Sequence, residues 1–235
     1  MKPDESPILE VIVGSVADAL AAKAGGAGRL EVVRNLELGG LTPSFQLVQE
    51  IKNAVDLPLR VMLRENIGFE AQDNDELESL CFAAEKFASL GVDGLVLGYL
   101  KDGIVDLTVC ERILECAPKL NATFHHAFEA ARDQFQAVNE IRLLRQVDRI
   151  LSHGSADSLD EKLFRFEMYR LLAGPRIEII AGGGIDIDAI GKIGRATKIR
   201  EFHVGRAARS RNRVDGEVLA ELVSQLAEQL KQLDP

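Results

Sequence analysis

Eight short apolar runs, each followed by a segment with helical spacing, constrain this chain more than any other feature. The sequence predicts strands over residues 8–13, 29–33, 59–64, 94–98, 121–125, 149–152, 177–181 and 201–204. They are β-branched or aliphatic and bounded by residues such as Pro7, Gly14 and Pro58. Helices are expected after Ser15, after Thr42 as N-cap with Pro43 at the first helical position, and over residues 76–90, 107–116, 133–145 and 159–172. Another follows the triple glycine at Gly182, and a last amphipathic helix covers residues 216–233. Strands alternating with helices imply a parallel sheet. Eight units at intervals of roughly 20 to 35 residues imply a closed (β/α)8 TIM barrel over an open doubly wound sheet. The length of 235 residues suits one such α/β barrel, and no linker or composition break divides it, so residues 1–235 read as a single domain.

A formal net charge of −9 argues against nucleic acid as a partner, because neutralising phosphates needs a basic face. No apolar run is long enough to span a membrane, and the first six residues lack an apolar signal core, so a cytoplasmic location is the default expectation. The three cysteines, Cys81, Cys110 and Cys116, form no C-x-x-C pair; they read as reduced thiols filling helices. A homo-oligomer is compatible with a barrel of this size, but no residue specifies one.

Several strands carry charge where a bland barrel would carry Val or Ile. Glu10, Glu31, Arg60, Arg64, His125, Glu201 and His203 all fall within them. Residues two apart on a strand share a face. Charge buried in a barrel must be paired, so Glu10 and Glu31 are expected to pair with Arg60 or Arg64. Arg64 and His125 stand at carboxyl ends of strands, where barrel active sites are built. His126 follows on the opposite face or turns up into the loop, and His153 follows the sixth strand directly and faces the same rim. Such histidines suit proton transfer near neutral pH or metal binding; His125, His153 and His203 are the candidate metal ligands.

The seventh strand ends in Gly182, Gly183 and Gly184, and the eighth runs into Gly205-Arg206-Ala207-Ala208-Arg209. Strand ends of this kind expose backbone N–H groups beside a helix start, which makes an anion site. Gly183, Gly184, Gly205 and Arg206 are its expected members, with Arg209 adding charge.

Several stretches together resemble the CutC family. They include Leu9-Glu10-Val11, Arg29-Leu30-Glu31, Gly39-Gly40-Leu41-Thr42-Pro43-Ser44, residues 92–98, Thr123-Phe124-His125, Asp148-Arg149-Ile150-Leu151, the triple glycine and Glu201-Phe202-His203. The block from Gly39 to Ser44 is the most specific. The resemblance implies a TIM barrel and a cytoplasmic protein linked to copper homeostasis, with copper, bound through cysteine, as the cofactor. The family's cysteines late in strand one and at the end of strand two correspond here to Ile12-Val13 and Val33. Its His-Arg-Ala-Phe-Asp becomes His125-His126-Ala127-Phe128-Glu129, and its Leu-Thr-Ser-Gly becomes Leu151-Ser152-His153-Gly154. Two soft ligands are lost and two histidines gained.

Three functions stay open on this reading. One is copper handling through the rim histidines. A second is an isomerase, lyase or hydrolase acting on a small phosphorylated or carboxylated metabolite. In that case Gly183, Gly184, Gly205 and Arg206 hold the anion, Arg64 polarises an oxygen, His125 is the acid or base, and Glu10 or Glu31 orients it. The third is a non-catalytic binder of a small molecule or partner. No strand ends in lysine, which disfavours Schiff-base chemistry.

Overall fold

The computed structural model describes residues 7–233. Eight parallel strands close a barrel: β1 (Ile8–Val13), β2 (Arg29–Val32), β3 (Leu59–Met62), β4 (Gly94–Leu97), β5 (Asn121–Phe124), β6 (Val147–Ser152), β7 (Glu178–Ala181) and β8 (Glu201–Val204). β1 pairs with both β2 and β8, which seals the sheet. The helices are α1 (Val16–Ala24), α2 (Phe45–Ala54), α3 (Asn74–Ser89), α4 (Leu107–Glu115), α5 (Gln134–Ile141), α6 (Leu159–Ala173), α7 (Ile187–Ala196) and α8 (Ala220–Lys231). Their apolar faces cover the outward side chains of the strands in one continuous core. This is the (β/α)8 fold that the strand–helix alternation predicts.

Three local expectations are corrected. Ser44, not Thr42, caps α2, accepting from the Leu47 N–H at 3.2 Å. The Thr42 hydroxyl instead accepts from the Arg64 N–H at 2.9 Å and donates to the Arg64 carbonyl at 3.1 Å. The last helix starts at Ala220, because Val218 is held in a bridge to Arg209. A small hairpin, Leu100–Lys101 with Ile104–Val105, follows β4 and turns through Asp102 and Gly103, both at positive φ. The Asp-Gly signal for it was present in the chain.

Inside the barrel the expected pairing of Glu10 and Glu31 with Arg60 or Arg64 is replaced by another. Glu10 lies in register with Arg29, and the Arg29 Nε donates to its carboxylate. The Arg29 Nη2 donates to Glu201 at 2.6 Å. Glu201 also accepts from Arg149 at 2.8 and 2.9 Å. Arg149 bonds Asp148 at 2.5 Å, and Asp148 receives both terminal nitrogens of Arg60 at 3.0 and 2.8 Å. Arg60 thus turns down toward β6, and Arg64 lies beyond the lumen. Arg29, Asp148 and Arg149 were not foreseen as members. Arg29 could have been, since it stands two residues before Glu31 and so on the same face of the strand.

Two residues further up β1, β2 and β3 the same face turns apolar. Ile12, Val33 and Met62, with Val96, make a separate small cluster above the charges. The lumen is therefore layered: ion pairs low, aliphatic side chains high. Arg29 is 3% exposed and serves two carboxylates. Replacing it with alanine takes one partner from each of two buried carboxylates, leaving Glu10 with His203 and Glu201 with Arg149, so Arg29→Ala should lower unfolding free energy by about 3 kcal/mol. Urea denaturation followed by circular dichroism measures this; a loss below about 1 kcal/mol would mean the pairs contribute little.

Candidate functional site

The carboxyl ends of the strands surround a cavity of about 260 Å³. Its floor is the aliphatic layer of Ile12, Val33 and Met62. Glu31 and His203 stand on one side, and His125, His126 and His153 on the other. Gly183, Gly184, Gly205 and Arg206 line the wall between. Of the residues singled out in the sequence, Glu10, Arg60, Arg64, Glu201 and Arg209 lie outside the lining.

Arg64 is committed elsewhere. Its guanidinium donates to the carbonyls of Asn66 at 2.9 Å and Ile67 at 2.7 Å, and lies 5.2 Å from the Phe69 ring centre. It shapes the 65–75 loop. That loop is anchored over the rim by Phe69, whose ring sits 5.6 Å from His125 and 5.5 Å from His126. Glu10 lies beneath the cavity and acts through His203.

His203 stands between two carboxylates. Its Nδ1 is 2.7 Å from Glu10, and its Nε2 is 3.4 Å from Glu31. Burial opposes charge on the ring, but Glu31 and Glu10 outweigh it and raise the His203 pKa. The two carboxylates then diverge. Burial would raise Glu10, yet Arg29 and His203 hold it well below the usual range. Glu31 touches no guanidinium; burial, reinforced by the Glu10 charge and only partly offset by His203, pushes it up to about 7. A carboxyl pushed up to about 7, with an imidazole of raised pKa beside it, is suited to proton transfer.

The other three histidines are neutral. Burial, aided by the Arg64 charge, pushes His125 down to about 3. Its Nδ1 accepts from the Ala127 N–H at 3.2 Å, which places the proton on Nε2, and that buried nitrogen has no partner. Gly98 makes room for it, since a Cβ there would lie 2.6 Å from Nδ1. Burial also lowers His153, to about 4, and the His126 ring stacks on it at 4.3 Å. Gly183 must be glycine: its φ is +70°, and a Cβ would lie 2.5 Å from the His153 ring. Glu129, the variant residue of the His-His-Ala-Phe-Glu block, fixes the end of β6. It accepts from the Ser152 hydroxyl at 2.7 Å and from the His153 and Gly154 N–H groups at 2.9 and 3.0 Å.

The anion wall differs from expectation in two ways. Asp186 caps α7, accepting from the Ala189 N–H at 2.8 Å, so that helix start already carries its own carboxylate. Arg209 is buried against Asp18, the Ile12 carbonyl and the Gly216 carbonyl. What remains for an anion is the glycine backbone and Arg206, which is exposed and makes no ion pair among the described residues.

Among the described residues no group of three or more His, Cys, Asp or Glu could hold a metal ion. Cys81 and Cys110 lie on α3 and α4 and Cys116 at the α4 end, away from the rim. Cuprous ion prefers thiolate ligands, and the rim offers none. No helix is long and apolar enough to cross a membrane.

A model of the CutC family matches residues 7–208. A family protein CutC of Xanthomonas campestris pv. campestris is 35% identical, over 83% of this chain and 81% of the relative. A CutC of Chromobacterium violaceum is 34% identical, over 83% of this chain and 79% of its own length. Among solved structures, a copper homeostasis protein CutC from Streptococcus agalactiae superposes with a TM-score of 0.78 at 27% identity, covering 84% of this chain and 97% of that one.

The raised Glu31 pKa has a stability consequence. Between the ordinary carboxylate value of 4.5 and about 7, folded Glu31 keeps a proton that the unfolded chain has lost. Rising pH therefore favours the unfolded state across that window. His203, raised in the fold, adds a decline of the same sign above its ordinary 6.5. The neutral rim histidines, His125 and His153 among them at about 3 and about 4, act in the opposite sense below 6.5, so the share of Glu31 is read as a difference between thermal melts: as pH rises from 4.5 to about 7 wild type should lose Tm relative to Glu31→Gln. Equal slopes in both proteins would show that Glu31 titrates normally.

Proposed function

The chain belongs to the CutC family, and from that premise we propose that its rim cavity performs proton transfer on a small phosphorylated or carboxylated metabolite. The observation that carries this reading is Glu31, a buried carboxyl that titrates near 7 on the wall of a cavity, 3.4 Å from His203. It shares the cavity with Arg206, which makes no ion pair among the described residues, and with two glycines at positive φ, and this supports an anionic substrate. The name of the family links it to copper homeostasis; for this chain the donor set at the rim favours metabolite chemistry instead.

Each residue takes a role that its surroundings permit. The substrate anion lies against Gly183, Gly184 and Arg206, with Gly205 allowing close approach. Glu31 accepts a proton from the substrate or returns one. The His203 imidazolium stabilises Glu31 while it is ionised, and Glu10, fixed by Arg29, keeps the imidazole oriented and charged. His125 is too weak a base near neutral pH. Its free Nε2–H is a neutral donor for a substrate carbonyl or hydroxyl oxygen. A proton carrier beside an uncharged donor fits isomerisation through proton removal next to a carbonyl better than lyase or hydrolytic chemistry.

Two measurements check the reading. Isothermal titration with inorganic phosphate should detect binding, weakened about tenfold or more in Arg206→Ala; equal affinity in the two proteins would remove Arg206 from the site. Incubation in D2O with a panel of small phosphorylated and carboxylated keto and hydroxy compounds should place deuterium next to the carbonyl of at least one, read by NMR. Glu31→Gln should abolish the exchange, while its folded spectrum is retained. Absence of exchange across the panel, or exchange that survives in Glu31→Gln, would overturn the assignment.

A further inference from the structure

Two cysteines that are scattered in the chain meet in the fold. Cys81 lies on α3 and Cys116 closes α4, and these helices pack side by side. Both thiols donate to one acceptor, the Arg112 carbonyl, at 3.6 Å from Cys81 and 3.4 Å from Cys116. Both are partly exposed, whereas Cys110 is fully enclosed. Neither belongs to the rim cavity, and nothing in the proposed chemistry uses them.

We propose that Cys81 and Cys116 form a dithiol site that reacts with low-molecular-weight disulfides to give an intramolecular disulfide between α3 and α4. The two sulfurs lie 3.6 and 3.4 Å from the same oxygen, which puts them within reach of one another across the α3–α4 contact. One cysteine sulfur, as thiolate, attacks a sulfur of the small disulfide; that S–S bond breaks and one small thiolate leaves. The second cysteine sulfur attacks the first, the protein disulfide forms, and the other small thiolate leaves. The two cysteine protons end on the two departing thiolates. The protein loses two electrons and the small disulfide gains them. Burial, then the neighbouring Cys116, push the Cys81 thiol up to about 11, so exchange accelerates as pH rises. Cys110, pushed by burial up to about 12, serves as an internal control.

The test is to incubate reduced, folded protein with oxidised glutathione at mildly alkaline pH and map the products by mass spectrometry. The expected product has lost two hydrogens, carries a peptide pair linked through Cys81 and Cys116, and keeps Cys110 as a thiol. The oxidised protein should melt at a higher temperature than the reduced one, and reductant should abolish the difference. Cys81→Ser and Cys116→Ser should each stop at a single glutathione adduct on the remaining cysteine. Two separate glutathione adducts on wild-type protein would overturn the proposal. So would three free thiols under a glutathione ratio that fully oxidises a reference dithiol, and so would a linked pair that includes Cys110.

Discussion

The barrel depends on holding charge in its interior without leaving any of it unpaired. Three guanidiniums, from Arg29, Arg60 and Arg149, meet three carboxylates, from Glu10, Asp148 and Glu201. Most members have two uses: Arg29 bridges two glutamates, and Asp148 bridges two arginines, while Arg60 gives both terminal nitrogens to Asp148 alone. In an enclosed lumen that continuity matters, because any one unpaired ion would cost several kcal/mol. The aliphatic layer above separates most of this network from the cavity. Only through His203 does it reach the rim.

That contact gives the lumen a chemical consequence. Glu10 and Glu31 flank the same imidazole, yet their environments drive their pKa values apart. A guanidinium touches one and not the other. The lower carboxylate is fixed as an anion, the histidine is held charged by it, and the upper carboxylate is left with a proton that is easily moved. Environments that separate two like groups are how acid and base roles are assigned in one site. The rim histidines follow the opposite rule: crowded together, under Phe69 and near Arg64, they stay neutral and act as rings and donors.

Much of this was legible in the chain. Strand–helix alternation gave the barrel, because a parallel sheet of such units has few ways to close. The period of two put Glu31 and His203 at the lumen and rim, and strand-end position brought His125, His153 and the glycines to one face. Pairing was not legible. Arg60 could meet Glu31, its neighbour in register, but its side chain crosses the lumen to Asp148. Register gives the position of a Cα, whereas a guanidinium on three methylenes reaches several partners, and the choice depends on where every other charge has settled. Arg209 escaped for the same reason, since its partner Asp18 lies far off in the chain; Asp186 is a local cap of α7, three residues before Ala189.

The sequence by itself determined the fold class, the family and the side of the barrel on which chemistry is built, since those follow from periodicity and local motif. Only the tertiary structure decided which carboxylate keeps a proton, which arginine is left free for a ligand, and that Cys81 and Cys116 face each other. These depend on burial and on distances between residues far apart in the chain. No local pattern encodes such distances, because they arise only when all eight strands have closed around the same charges.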